Sequence, residues 1–197
     1  TVREFHGHKF ETVFARNARI FFHGCNVAER AVGELFLALC GVIFLNKGGG
    51  RVGASSTAGY MDPIITGKVF HSPGSAVYAN IKPGGWVELQ NHSHLNLAHL
   101  EAHTRFLDET FPLFRDQGSA KVLEGKEHLR KAKEHLKKGS FSTIASIWEL
   151  YWAHGEMVKA GEIAVQLAKD SSSITIENQI KVQYRFWLQE AKLGHLH

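Results

Sequence analysis

The apolar positions change period twice along this chain. Ile20, Phe21 and Phe22 run together, as in a strand buried on both faces. Gly24-Cys25-Asn26 breaks the run, and a helical pattern carrying Leu35, Phe36 and Leu39 follows, predicting a helix over 27–44. Gly48-Gly49-Gly50 closes that helix, because glycine accepts the left-handed cap conformation. Residues 51–55 read as the next strand. Residues 68–71, 76–81 and 86–90 are further short strands, punctuated by Pro73-Gly74 and Pro83-Gly84-Gly85. Upstream, 2–5 fits a short strand and 10–18 a short helix with Phe10, Val13 and Phe14 on one face. Strands alternating with helices predict an α/β domain built on a parallel sheet, with the later turns adding a β-rich edge.

Near Asn91 the period becomes helical and stays so. Residues 95–117 form a helix interrupted at Pro112. Residues 121–138 form a charged amphipathic helix with Val122, Leu129 and Leu136 seven apart, ended by Gly139. Ser140 or Ser142 is placed to cap the next helix, which runs to about Lys169 and is apolar around much of its girth. A polar turn at 170–173 precedes a last helix over 176–193. The organisation expected is an α/β domain over 1–90, followed by an antiparallel helical region over 91–197.

Composition narrows the class without naming a function. The chain has 197 residues, 44% hydrophobic and 21% charged, as in an ordinary globular protein. No apolar run is long enough to span a bilayer. The first residue is Thr1, which predicts a processed or N-terminally incomplete chain. Cys25 and Cys40 are too few for a disulfide framework and mildly favour a reducing compartment such as the cytoplasm. Seven basic and three acidic side chains between 121 and 138 account for the whole net charge of +4. Their alternation describes a solvated helix face rather than a nucleic-acid surface.

Candidate chemistry concentrates at Cys25. A thiol there stands at the carboxyl end of a strand and close to a helix N-terminus, where open α/β sheets place their sites and where the helix dipole favours thiolate. Cys40, on the apolar face of a helix, reads as a small buried hydrophobe. A second group is His92, His94, His99 and His103. His99 and His103 share a helix face at the spacing paired zinc ligands use, but the ligand set is incomplete, and solvent-facing histidines at a helix start, or a polar interface patch, are the simpler readings. The glycine runs lack the spacing of phosphate-binding loops. Trp148, Tyr151, Trp152, Tyr184, Phe186 and Trp187 suit a core or a protein interface better than a base-stacking platform.

Gly24-Cys25-Asn26-Val27-Ala28-Glu29 after an apolar strand, then Gly49-Gly50-Arg51-Val52-Gly53-Ala54-Ser55-Ser56-Thr57, resembles the caspase-like cysteine peptidase superfamily. The likeness is to bacterial caspase-like domains of largely unassigned activity, over about residues 1–90. It implies a cysteine peptidase acting on a protein or peptide substrate without a cofactor. Cys25 matches the nucleophile, and His6-Gly7 is the candidate for the His-Gly turn that supplies the acid/base. Backbone amides at Gly7 and near Cys25, at Gly24, would hold the oxyanion, and Ser55 and Ser56 would help shape the substrate pocket. Caspases place the histidine roughly 50 residues before the cysteine, whereas Cys25 lies nineteen after His6. The twelve residues from Gly7 to Ala18 just meet the minimum of about 10–12 for a crossover. His8 is the second choice, and His23 neighbours Cys25 in sequence. The rival expectation is an inactive caspase-like scaffold whose helical region binds a protein partner.

Overall fold

The computed structural model describes residues 13–57, 59–61, 69–71, 75–89, 93–139, 143–169 and 178–181. Its strands are β1 (Ala18–Phe22), β2 (Gly50–Ser55), β3 (Gly59–Met61), β4 (Val69–His71), β5 (Ala76–Lys82) and β6 (Trp86–Leu89). Its helices are α1 (Arg30–Leu45), α2 (Leu97–Thr110), α3 (Ala120–Lys138) and α4 (Ile144–Lys169), with a 3-10 turn at Phe111–Leu113.

A four-stranded sheet has the order β1-β2-β5-β6, and β3 pairs with β4 separately. Where a parallel sheet is expected, the sheet is mixed. β1 and β2 are parallel, with Ile20 opposite Val52, while β2–β5 and β5–β6 are antiparallel. For β1–β2 and β5–β6 the direction follows from connection length. The 30–45 helix is long enough to carry the chain back for a parallel return, whereas the Lys82–Trp86 turn, with Gly84 and Gly85 at positive φ, closes a hairpin. The strand expected at 2–5 and the start of the helix expected at 10–18 lie outside the described residues. Residues 13–17 are turn rather than helix. Asn17 takes φ 57° and donates its N–H to the Gly48 carbonyl at 3.1 Å, which launches β1 at Ala18.

One face of the sheet is lined by Val52, Ala54, Val77, Ala79, Ile81 and Val87, all buried beneath α1. Helix and sheet meet closely because Gly41 has no side chain. A Cβ there would fall 2.3 Å from Ile81 Cδ1. Gly50 is required for a related reason. Its φ is +144°, and a Cβ would sit 2.1 Å from the Ala18 carbonyl oxygen.

The helical half follows its sequence pattern closely. Val122, Leu129 and Leu136 are all buried. The Ser119 hydroxyl caps α3 by accepting the Val122 N–H, and Asn96 caps α2 by accepting the His99 N–H. For α4 the capping hydroxyl is that of Thr143, which accepts the Ser146 N–H at 3.2 Å; Ser140 and Ser142 lie outside the described residues. His128 faces Glu156 and His135 faces Glu149, so residue numbers rise on α3 as they fall on α4 and the two helices are antiparallel. Residues 178–181, within the expected last helix, are helical and bury Ile180. Apolar packing runs without a break from the sheet through α1 into α2, α3 and α4. No described helix is long and apolar enough to cross a membrane.

Candidate functional site

The Cys25 turn is built where the parallel pair ends. β1 stops at Phe22, and the Gly24 N–H returns to the Phe22 carbonyl at 3.1 Å. Asn26 takes φ 58° and donates its N–H to the Thr57 carbonyl, while the Ala28 N–H goes to the Ser55 carbonyl at 3.0 Å. The turn is thus stitched to the segment leaving the neighbouring parallel strand. Both carboxyl ends meet at one rim of the sheet, the place where α/β sheets gather ligands. Cys25 is exposed there, and Cys40 is buried. Loss of solvent pushes the Cys40 thiol up to about 11, so it is protonated and inert at neutral pH.

Beside the turn lies an open groove of about 330 Å³ lined by Asn26, Val27, Glu29, Arg30, Val32, Gly33 and Phe36. Phe36 is held upright by Phe22, with ring centroids 5.2 Å apart. Val32 and Phe36 stay exposed on α1. The groove therefore offers an apolar wall and, at its mouth, an exposed Glu29–Arg30 ion pair at 3.3 Å. Arg30 opens α1 at φ 57°, a left-handed conformation uncommon for a side chain of this size.

Ser55 and Ser56 lie beneath this rim rather than on it. Both are buried. The Ser55 hydroxyl reaches the Thr57 carbonyl at 3.0 Å and the Ser75 hydroxyl at 3.1 Å, and the Ser56 hydroxyl donates to the Ser75 carbonyl at 2.9 Å. These serines hold the loop under the Cys25 turn, and their hydroxyls are spent within it. Gly24 sits at the turn, where a Cβ would come 2.7 Å from Val27 Cγ2. His23 is exposed, and its ring packs on Phe21 with centroids 5.0 Å apart. His6, Gly7 and His8 lie outside the described residues.

The second constellation is more buried than its sequence suggests. Glu34 of α1 is 3% exposed. Its two oxygens accept the N–H groups of His94 (2.9 Å) and Leu95 (3.0 Å), and His94 Nδ1 lies 3.2 Å from Oε1. His154 of α4 meets the other side of His94, with ring centroids 5.7 Å apart at 83°. On α2, His99 and His103 face each other at 6.5 Å. Burial, with His94 and His103 adding to it, pushes the His154 imidazole down to about 4; burial, with His99 adding to it, does the same to His103. These histidines are half-buried at a helix junction rather than solvent-facing. Among the described residues, no three His, Cys, Asp or Glu side chains are grouped so as to hold a metal ion. His92 is outside them. Sequence reasoning missed Glu34 and His154. The one local signal was a polar residue on an otherwise apolar helical face.

No protein-family model matches the chain, no curated protein matches its sequence, and no solved structure matches its fold. The class defined by the fold is a mixed α/β layer fused through a common core to an antiparallel helical array.

Proposed function

We propose that the chain is a caspase-like cysteine peptidase domain with Cys25 as its nucleophile. One observation carries the reading. Cys25 is an exposed thiol on a tight turn at the joint carboxyl ends of the parallel β1–β2 pair, beside a groove with an apolar wall. In the proposed reaction the thiolate attacks a peptide carbonyl carbon, the C–N bond breaks, and the leaving amine takes a proton from an imidazole, for which His6 is the candidate. Water then hydrolyses the thioester and regenerates the thiol. The groove would receive a side chain of the peptide against Val32 and Phe36.

The test compares the two thiols and then the reaction. With iodoacetamide at pH 7, Cys25 should alkylate at least ~100-fold faster than Cys40, given the exposure of one and the desolvation of the other. Reactivity alone would fit any exposed cysteine. The deciding measurement is cleavage of a peptide library by the wild-type chain and by Cys25→Ser. Hydrolysis lost in the variant supports the reading, and hydrolysis equal in both, or absent from both, overturns it.

A second reading has its own observation. Trp148 and Trp152 are 37% and 52% exposed on α4, with rings 6.4 Å apart and stacked. Neighbouring exposed tryptophans are the residues of a protein-contact face. This favours an inactive scaffold whose helices bind a protein if the library stays intact.

A further inference from the structure

The four-stranded sheet has a second face, which the peptidase reading does not use. The side that α1 covers carries Val52, Ala79 and Val87. Side chains alternate along a strand, so their sequence neighbours share the opposite side. The register sets these in rows. One row takes a residue from each strand: Arg19, Arg51, Asn80 and Glu88. The next holds Phe21, Gly53 and Tyr78. On the other side of the first row, Lys82 stands opposite Trp86. Arg19, Arg51, Lys82 and Glu88 are exposed, and Trp86 is 54% exposed.

Two features of this face stand out. The first is charge. Arg19 and Arg51 are direct partners on paired strands, and like charges so placed cost stability. Lys82 is answered by Glu88 in an exposed ion pair, but neither arginine has an ion pair among the described residues. The face therefore holds an excess of two positive charges side by side, and an anion laid across them relieves their repulsion. The second is ring surface. The Arg51 guanidinium lies 5.1 Å from the Tyr78 ring centroid, and its Nε donates to Asn80 Oδ1 at 2.8 Å, which holds it there. Gly53 makes room for this. A Cβ on it would fall 2.5 Å from Tyr78 Cδ1 and 3.1 Å from Phe21 Cδ2, so two rings close over the bare strand.

We propose that this face binds single-stranded nucleic acid, with phosphates against Arg19 and Arg51 and bases stacked on the Arg51–Tyr78 pair and on Trp86. A four-stranded sheet carrying aromatic rings has room for about two or three bases. Charge and ring surface together favour this occupant over other anions. A duplex turns its bases inward and presents phosphates alone, which leaves the rings unused. An acidic peptide brings carboxylates without the broad planar surface that rings stack on. An anionic bilayer is held by clusters of about four to eight basic side chains, and only two stand unpaired on this face. The charged face of α3 differs in kind, since its basic residues alternate with acidic ones and Arg130 is paired. The inference does not depend on Cys25 being a nucleophile.

The experiment titrates the full chain into fluorescein-labelled single strands of about twelve bases, in DNA and in RNA form, and follows anisotropy from about 50 to 200 mM salt. Saturable binding is expected, at least about tenfold tighter than to a duplex of the same sequence. Trp86→Ala should weaken it by about five- to a hundredfold, the worth of one stacked base. Arg19→Gln combined with Arg51→Gln should reduce the slope of log K against log salt by about 1.4. Lys137→Gln combined with Lys138→Gln, on α3, should change neither. The tighter of the DNA and RNA forms names the source of the strand. Should the Trp86 variant fail to fold, the two-arginine variant carries the test. No binding overturns the reading, as does a duplex held as tightly as the single strand. So does binding that survives either substitution on the sheet, that falls instead with the α3 lysines, or that phosphatidylserine vesicles or polyglutamate match.

Discussion

Two sets of histidines on the same helical array meet opposite surroundings. Along the α3–α4 seam each ring has its own carboxylate: His128 with Glu156 at 2.6 Å and His135 with Glu149 at 2.7 Å. At the α1–α2–α4 junction His94 lies between one buried carboxylate, Glu34, and the ring of His154. Burial alone would raise the Glu156 carboxyl, but hydrogen bonds from His128 and Lys159 outweigh it and hold the group below its usual 4.5. A depressed carboxyl contributes stability above its unfolded value and loses it as pH falls through the folded one. The seam thus loses this contribution only in acid below about 4.5. The junction begins to weaken near 6.5. Burial decides the response at the junction, and pairing decides it at the seam.

The comparison breaks most visibly at Glu34. Glu34→Ala leaves two backbone N–H groups and a ring nitrogen without their acceptor in the interior. It should lower unfolding stability in urea at pH 7 by about 3–5 kcal/mol. A loss below about 1 kcal/mol would mean that water replaces the Glu34 carboxylate at these groups.

Next in size is the pH profile of stability. Each of His103 and His154 should withdraw up to roughly 3 kcal/mol between pH 6.5 and 4, since one pKa unit is worth about 1.4 kcal/mol. His154→Phe should flatten the profile of urea midpoints across that range and leave the pH 7 end within about 1.5 kcal/mol of wild type. A profile as steep as wild type would place the linked protons elsewhere.

Smaller again is the seam. A double-mutant cycle on His128 and Glu156 at pH 6 should return a coupling of about 1 kcal/mol, and its size should shrink below pH 4.5 as the carboxylate protonates. Zero coupling at pH 6 would remove the contrast between the two regions. The smallest effect belongs to Arg130, which pairs with Glu127 at 2.8 Å and also with Glu134 on the solvated face of α3. Arg130→Ala should move the urea midpoint least of the set, and what it does move should vanish in high salt.

Local pattern and its limits explain which of these features were legible in advance. The seven-residue spacing of Val122, Leu129 and Leu136 specifies a buried stripe, because a helix returns to the same face every two turns. Gly139 ending α3, Pro112 ending α2 in a 3-10 turn, and the Pro83-Gly84-Gly85 hairpin follow equally from backbone chemistry at single positions. So does the exposure of Cys25, since a Gly-Cys-Asn break after an apolar strand must surface at the sheet's rim. The sheet's mixed direction, the sinking of Ser55 and Ser56 beneath that rim, and the meeting of His94 with Glu34 and His154 were not written in any local stretch. Each depends on which distant segments share a surface, and only the packed core brings together groups that lie dozens of residues apart. Hydrophobic periodicity tells a segment which face to bury; the partner that covers this face, and the charge that partner carries, are settled only when the whole chain closes on itself.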